Sequence, residues 1–133
     1  MLTISAFAVC LDPNDPSKYY YPTLDEEITT SDAIVIGTVT KVKPLREDPS
    51  DPEGWTAFIY TFNVTELLRG KVPTELKLRA ENDSGGYRMN LDEEHLLFLH
   101  KHKEYYYVDS CGKSTELPKG NKLLDQLGSI LNK

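Results

Sequence analysis

From Thr56 to Leu68 the chain alternates, with Phe58, Tyr60, Phe62 and Val64 on one side and Ile59, Thr61, Asn63 and Thr65 on the other. Side chains two apart share a face only in an extended strand, so this is the longest strand signal in the chain, ended by Gly70 and Pro73. A strand with aromatic residues along one face needs neighbours that pair its backbone and cover that face. Four further segments supply them. Ala33 to Val42 is β-branched nearly throughout, Glu75 to Ala80 alternates strictly, and His95 to His100 and Tyr105 to Asp109 read as two more short strands. Gly37 stands in the middle of the first, where a glycine marks the bulge or bend that lets a small barrel close.

Two helical signals flank these strands. Thr23-Leu24-Asp25-Glu26 has the spacing of a capping box, with acids in the first turn where the helix dipole favours them, and predicts a short helix from about Leu24 to Thr30. At the other end, from Lys119 to Asn132, Leu123, Leu124, Leu127, Ile130 and Leu131 recur at helical spacing and predict an amphipathic closing helix. Leu11 to Pro22, with its prolines and the Tyr19-Tyr20-Tyr21 triplet, reads as an extended surface loop. The expected fold is therefore mainly β: a five-stranded OB-fold-like Greek-key barrel with a short N-terminal helix and a C-terminal amphipathic helix.

The chain has 133 residues, enough for one domain with a single core. Twenty-one acidic side chains against fifteen basic ones give a net charge of -6, which argues against a nucleic acid as partner, since a phosphate backbone demands a basic face. No apolar run approaches the length of a membrane span. Residues 1–9 are apolar or small and uncharged, and end in a small-x-small pattern at Ala6-Phe7-Ala8; they read as the tail of a secretory signal, leaving residues 10–133 as the domain.

The chain has two cysteines, Cys10 and Cys111, about a hundred residues apart. They are either a disulfide or two buried thiols; a bond closing a loop of that length would contribute at most roughly 4 to 5 kcal/mol in the chain-entropy model. Neither lies in a Cys-x-x-Cys motif or beside a basic residue that would activate it as a nucleophile. His100 and His102 share a strand face and His95 is near in sequence, but strand-end histidines are ordinarily solvated, and no metal site or cofactor is expected. The triplets Asp25-Glu26-Glu27 and Asp92-Glu93-Glu94 read as solvated charge at a helix start and a turn. In Tyr105-Tyr106-Tyr107 the middle ring must face opposite to its neighbours, so Tyr105 and Tyr107, with Tyr19, Tyr20 and Tyr21, are candidate binding residues.

Taken in order, Ser31 to Val39, Tyr60 to Val64 leading into Leu67-Leu68-Arg69-Gly70, Leu91 to Phe98, and Ser110-Cys111-Gly112 resemble the netrin-like modules, closest to bacterial secreted relatives of the tissue inhibitors of metalloproteinases. The resemblance runs from about Cys10 to Leu117. It implies that Cys10 pairs with Cys111, matching the second cysteine of the family's N-terminal Cys-x-Cys and its partner after the last strand. Ala8 stands in place of the first cysteine and Gly85 in place of that cysteine's partner. The family inhibits by chelating the protease zinc through the amine and carbonyl of that first cysteine, so the resemblance implies the scaffold without its inhibitory group.

The function expected is a non-catalytic binding domain, secreted or periplasmic, whose partner is another protein; a metalloproteinase enters by family analogy. The rival readings are an inhibitor using a Val9 amine exposed beside Cys10, a structural envelope protein, and an enzyme or metal carrier built on the three histidines. No Ser-His-Asp set, phosphate loop or dense ligand cluster favours catalysis.

Overall fold

Residues buried on both faces set the plan of the molecule. The computed structural model describes residues 10–12, 14–83 and 85–131. The signal-like segment and Val9 lie outside the described residues. Among the described residues eight strands and two helices follow one another: β1 (Leu11–Asp12), β2 (Asp15–Tyr19), α1 (Leu24–Thr30), β3 (Ala33–Leu45), β4 (Ala57–Gly70), β5 (Glu75–Glu81), β6 (Glu94–His102), β7 (Tyr105–Val108), β8 (Thr115–Glu116) and α2 (Asn121–Leu131).

The fold is mainly β, but the sheet has six strands where five were expected: the five segments read as strands fall in β3 to β7, β8 is added, and the order is β3-β4-β5-β7-β6-β8. β3 also pairs with β6, antiparallel from Ala33 opposite Leu99 to Thr38 opposite Glu94, so the sheet curls back on itself. The sixth strand, β8, pairs with His95 and Leu96 at the start of β6, while β7 pairs with the end of the same strand. The expected loop at Leu11 to Pro22 is corrected in part: it holds the small antiparallel pair β1-β2, with Leu11 opposite Tyr19. Two-residue strands carry no periodicity, which is why neither β1 nor β8 could be read in advance.

The sheet encloses one core and supports another on its outer face. Val35, Val39, Phe58, Tyr60, Phe62, Leu76, Leu78, Leu97 and Leu99 fill the interior. On the outer face of β3 and β6, Ile34, Ile36, Leu96 and Phe98 meet Ile28 of α1, Leu117, and Leu127 of α2. These two strands are thus apolar on both sides, and their sequences read as continuous runs, Ile34-Val35-Ile36 and Leu96-Leu97-Phe98-Leu99, instead of alternating.

Gly37 sits at a register shift between β3 and β4. A Cβ there would stand 2.3 Å from the Asn63 carbonyl oxygen and 2.5 Å from the Phe62 ring, so only glycine lets β4 and the Phe62 ring approach at this bulge. The capping box forms as spaced: Thr23 Oγ1 accepts from the Glu26 N–H, and the Glu26 carboxylate accepts from the Thr23 N–H.

Cys10 and Cys111 are joined in a disulfide, with Cα atoms 5.6 Å apart. The turn that carries Cys111 is held from below by α1. Glu27 is only 2% exposed and accepts the Lys113 N–H at 2.6 Å, a contact that requires glycine at position 112, where a Cβ would lie 1.9 Å from the carboxylate oxygen. Burial pushes the Glu27 carboxyl up from its ordinary range, a push strengthened by Asp109 and opposed by the Lys113 N–H and His100. The acidic triplet at the start of α1 is therefore not a uniformly solvated face, because its third member points inward at the disulfide turn.

Candidate functional site

The sheet is imperfectly zipped along one line. β5 and β7 run parallel and, among the described residues, pair at a single position, Leu78 with Tyr106. The next positions of such a ladder, Arg79 opposite Tyr107 and Ala80 opposite Val108, are not paired. Both strands remain held on their far edges, β5 by β4 as far as Glu81 and β7 by β6 as far as Val108. The near edges diverge, and a cleft of about 790 Å³ opens there.

Strand alternation decides which side chains wall this cleft. Leu78, Ala80, Tyr106 and Val108 belong to the interior, so Arg79 and Glu81 of β5 and Tyr105 and Tyr107 of β7 turn outward. His100 lies directly opposite Tyr107 and shares its face, and the His102 and Tyr107 rings meet edge to face at 6.0 Å between centroids. Asp83, Gly85, Gly86 and Tyr87, from the turn after β5, close the other side, and Asp109 closes the end nearest the disulfide.

The polar groups of the walls are mostly committed. Arg79 bridges two carboxylates, with Nη2 at 2.6 Å from Glu47 Oε1, Nη1 at 3.2 Å from Oε2, and Nε at 2.6 Å from Glu81 Oε2. Those bonds raise its already high pKa and hold it charged. Asp83 Oδ1 accepts the Gly85 N–H at 2.8 Å, and Asp109 Oδ1 accepts the Cys111 N–H at 2.9 Å. Burial pushes the Tyr107 phenol up.

Behind the cleft, Tyr87 is tied to β6. Its oxygen lies 2.8 Å from His95 Nδ1, and His95 Nε2 lies 3.0 Å from Glu93 Oε1. A carboxylate can only accept, so His95 Nε2 donates to Glu93, and the second bond is shared between Nδ1 and the Tyr87 hydroxyl. The order phenol, imidazole, carboxylate looks like a nucleophile with its base. Its electrostatics are otherwise: burial first, with Glu116 and Glu93 adding to it, raises the Tyr87 phenol above its ordinary value and keeps it protonated. This chain of bonds pins the turn to the sheet.

Glu93 carries the largest lowering among the carboxyls. The Asn90 N–H first, then His95, hold it at about 2 from an ordinary 4.5. A depressed carboxyl contributes stability above its unfolded pKa and loses it as pH falls toward the folded value. Thermal unfolding followed from pH 5 to pH 2 should therefore show the wild type losing stability across the interval between about 4.5 and about 2, and Glu93→Gln losing less over the same interval. Parallel curves for the two proteins would contradict this account of the clasp.

The sequence-derived candidates divide between two places. Tyr107 lines the cleft; Tyr105 is half-buried on the same outer face, and Tyr106 turns inward as alternation requires. Tyr19, Tyr20 and Tyr21 are exposed at the end of β2, the Tyr20 hydroxyl donating to the Glu26 carboxylate, and none of them lines the cleft. The three histidines do not converge, since His95 is buried in the Tyr87 clasp while His100 and His102 face the cleft. Among the described residues no group of three His, Cys, Asp or Glu side chains is arranged to hold a metal ion.

Sequence reasoning missed Arg79, Asp83 and Tyr87. The strict alternation of Glu75 to Ala80 put Arg79 on the outward face, but nothing local marked β7 as its neighbour. No family model matches the chain, and no curated protein matches it.

Proposed function

We propose that this chain is a non-catalytic, netrin-like binding domain that works outside the cytoplasm and takes a protein partner at the cleft beside Tyr107. The cleft carries this reading. Its walls combine aromatic rings, aliphatic side chains and a few fixed polar groups, the mixture that recognition sites use, and its volume is of the size that holds a small ligand or short segment. The ring order β3-β4-β5-β7-β6, antiparallel at β3-β6 and parallel at β5-β7, supports the oligomer-binding type of barrel. The disulfide favours an oxidising compartment, in keeping with the signal-like segment at residues 1–9. Among the described residues no helix is long and apolar enough to cross a membrane. The groups facing the cleft favour binding over catalysis: the Tyr87 phenol is held protonated and Arg79 is paired with two carboxylates.

Tyr107 is half-buried and lies outside both cores, so Tyr107→Ala should move the thermal midpoint by no more than a few degrees. Wild-type protein immobilised and exposed to the native extracellular milieu should retain a partner that the variant loses. Retention of that partner at full affinity, or unfolding of every substitution at Tyr107, would sink the reading.

A further inference from the structure

The unpaired seam narrows the chemistry of what the cleft accepts. Beyond Leu78 and Tyr106 no ladder pairs the near edges of β5 and β7, although both strands are extended and fixed on their far sides; Gly86 packs on the Glu81 main chain, where a Cβ would stand 2.0 Å from the carbonyl oxygen, so the open edge is that of β7 at Val108. Such an edge is a template for another strand. The charge of the rim selects further. Arg79 is neutralised by Glu47 and Glu81, whereas Asp83 and Asp109 keep carboxylates at the cleft whose bonds are to backbone N–H groups of their own turns. With the outward ring of Tyr107 lining the same cleft, the site complements a cation that brings its own hydrocarbon stem.

We infer that the cleft takes an extended peptide segment bearing a basic side chain, laid as an added strand along the open edge of β7. The inference rests on the cleft being the binding site and adds the ligand's class. Main-chain pairing supplies the affinity, and the carboxylates of Asp83 and Asp109 supply the preference for arginine or lysine.

The test uses short blocked peptides alternating valine and threonine with arginine, glutamine or glutamate at the centre, and a copy of the arginine peptide N-methylated at alternate amides. Binding is followed by the backbone amide resonances of the intact, disulfide-bonded protein. The arginine peptide should shift Ala80, Glu81, Val108 and Asp109, and bind tightest. N-methylation should weaken it about tenfold or more, the effect of losing two ordinary hydrogen bonds. Asp83→Asn keeps the oxygen that accepts from Gly85 and removes the charge, so it should narrow the preference for arginine over glutamine.

Equal binding of the methylated peptide would overturn the added strand, and a glutamate preference would overturn the basic side chain. Shifts confined to Tyr19–Tyr21, or no binding by any peptide, would overturn the inference as a whole. If partner capture still depends on Tyr107 in those cases, the binding domain stands and only its ligand class is wrong. If capture does not depend on Tyr107, the broader reading falls first.

Discussion

Phe62→Ala should destabilise the domain by roughly 3 to 5 kcal/mol, the range for emptying a fully buried aromatic site. The ring has no exposure and lies in the interior among Val39, Leu76 and their neighbours. It is opposite Val39 on β3 and Leu76 on β5, so its removal loosens three strands at once. Relaxation is restricted on one side by the bulge, because Gly37 has no side chain with which to refill the space the ring leaves. Urea unfolding of the two proteins measures the difference. A loss below about 1 kcal/mol would mean that Phe62 is not packed as described, since even a modest core truncation exceeds that.

The second large effect is expected at the disulfide. Cys10 and Cys111 are 101 positions apart, so their bond restricts nearly the whole unfolded chain, and Cys111→Ser should lower stability by roughly 2 to 5 kcal/mol. The chain-entropy figure for a loop this long lies at the upper end, and residual structure in the unfolded state reduces it. Peptide mapping without reductant should recover one linked pair. A wild-type unfolding midpoint that is the same with and without reductant, under conditions where the bond is shown to be broken, would remove the disulfide from the account of stability.

The effect should be local as well as global. Loss of the bond frees Cys111 from the β1-β2 pair, yet Glu27 still accepts the Lys113 N–H and Asp109 still accepts the Cys111 N–H. The turn therefore has a second anchor in α1. Combining Cys111→Ser with Glu27→Ala should destabilise by more than the sum of the single changes, because each anchor limits the movement that loss of the other permits.

Much of the scaffold was legible in advance because its signals are local. Alternation at Phe58, Tyr60, Phe62 and Val64 depends only on the period of a strand, and the capping box at Thr23 and Glu26 depends only on three residues' spacing. Gly37 announced the bulge through the same kind of signal, a residue that has little reason to stand mid-strand except at a bend or close approach. The cleft had no such signature. Its walls come from β5, the turn after it, β6 and β7, and their meeting depends on which strands become neighbours.

Glu27 shows the same limit on a smaller scale. Its position at the first turn of α1 is a sequence property that a solvated carboxylate would share with Asp25 and Glu26. Its burial follows from the Cys111 turn arriving above it across 86 positions of chain, with a glycine at the point of contact. By itself, then, the amino-acid sequence determined the strand periods, the helix starts and the alternation of faces along each strand it marked, since these follow from bond geometry over a few neighbours. Only the tertiary structure decided that β5 and β7 meet at one pair and then part, leaving Tyr107 over an open seam. Pairing between distant strands is settled by the closure of the whole sheet and the packing of its core, which no window of the sequence contains.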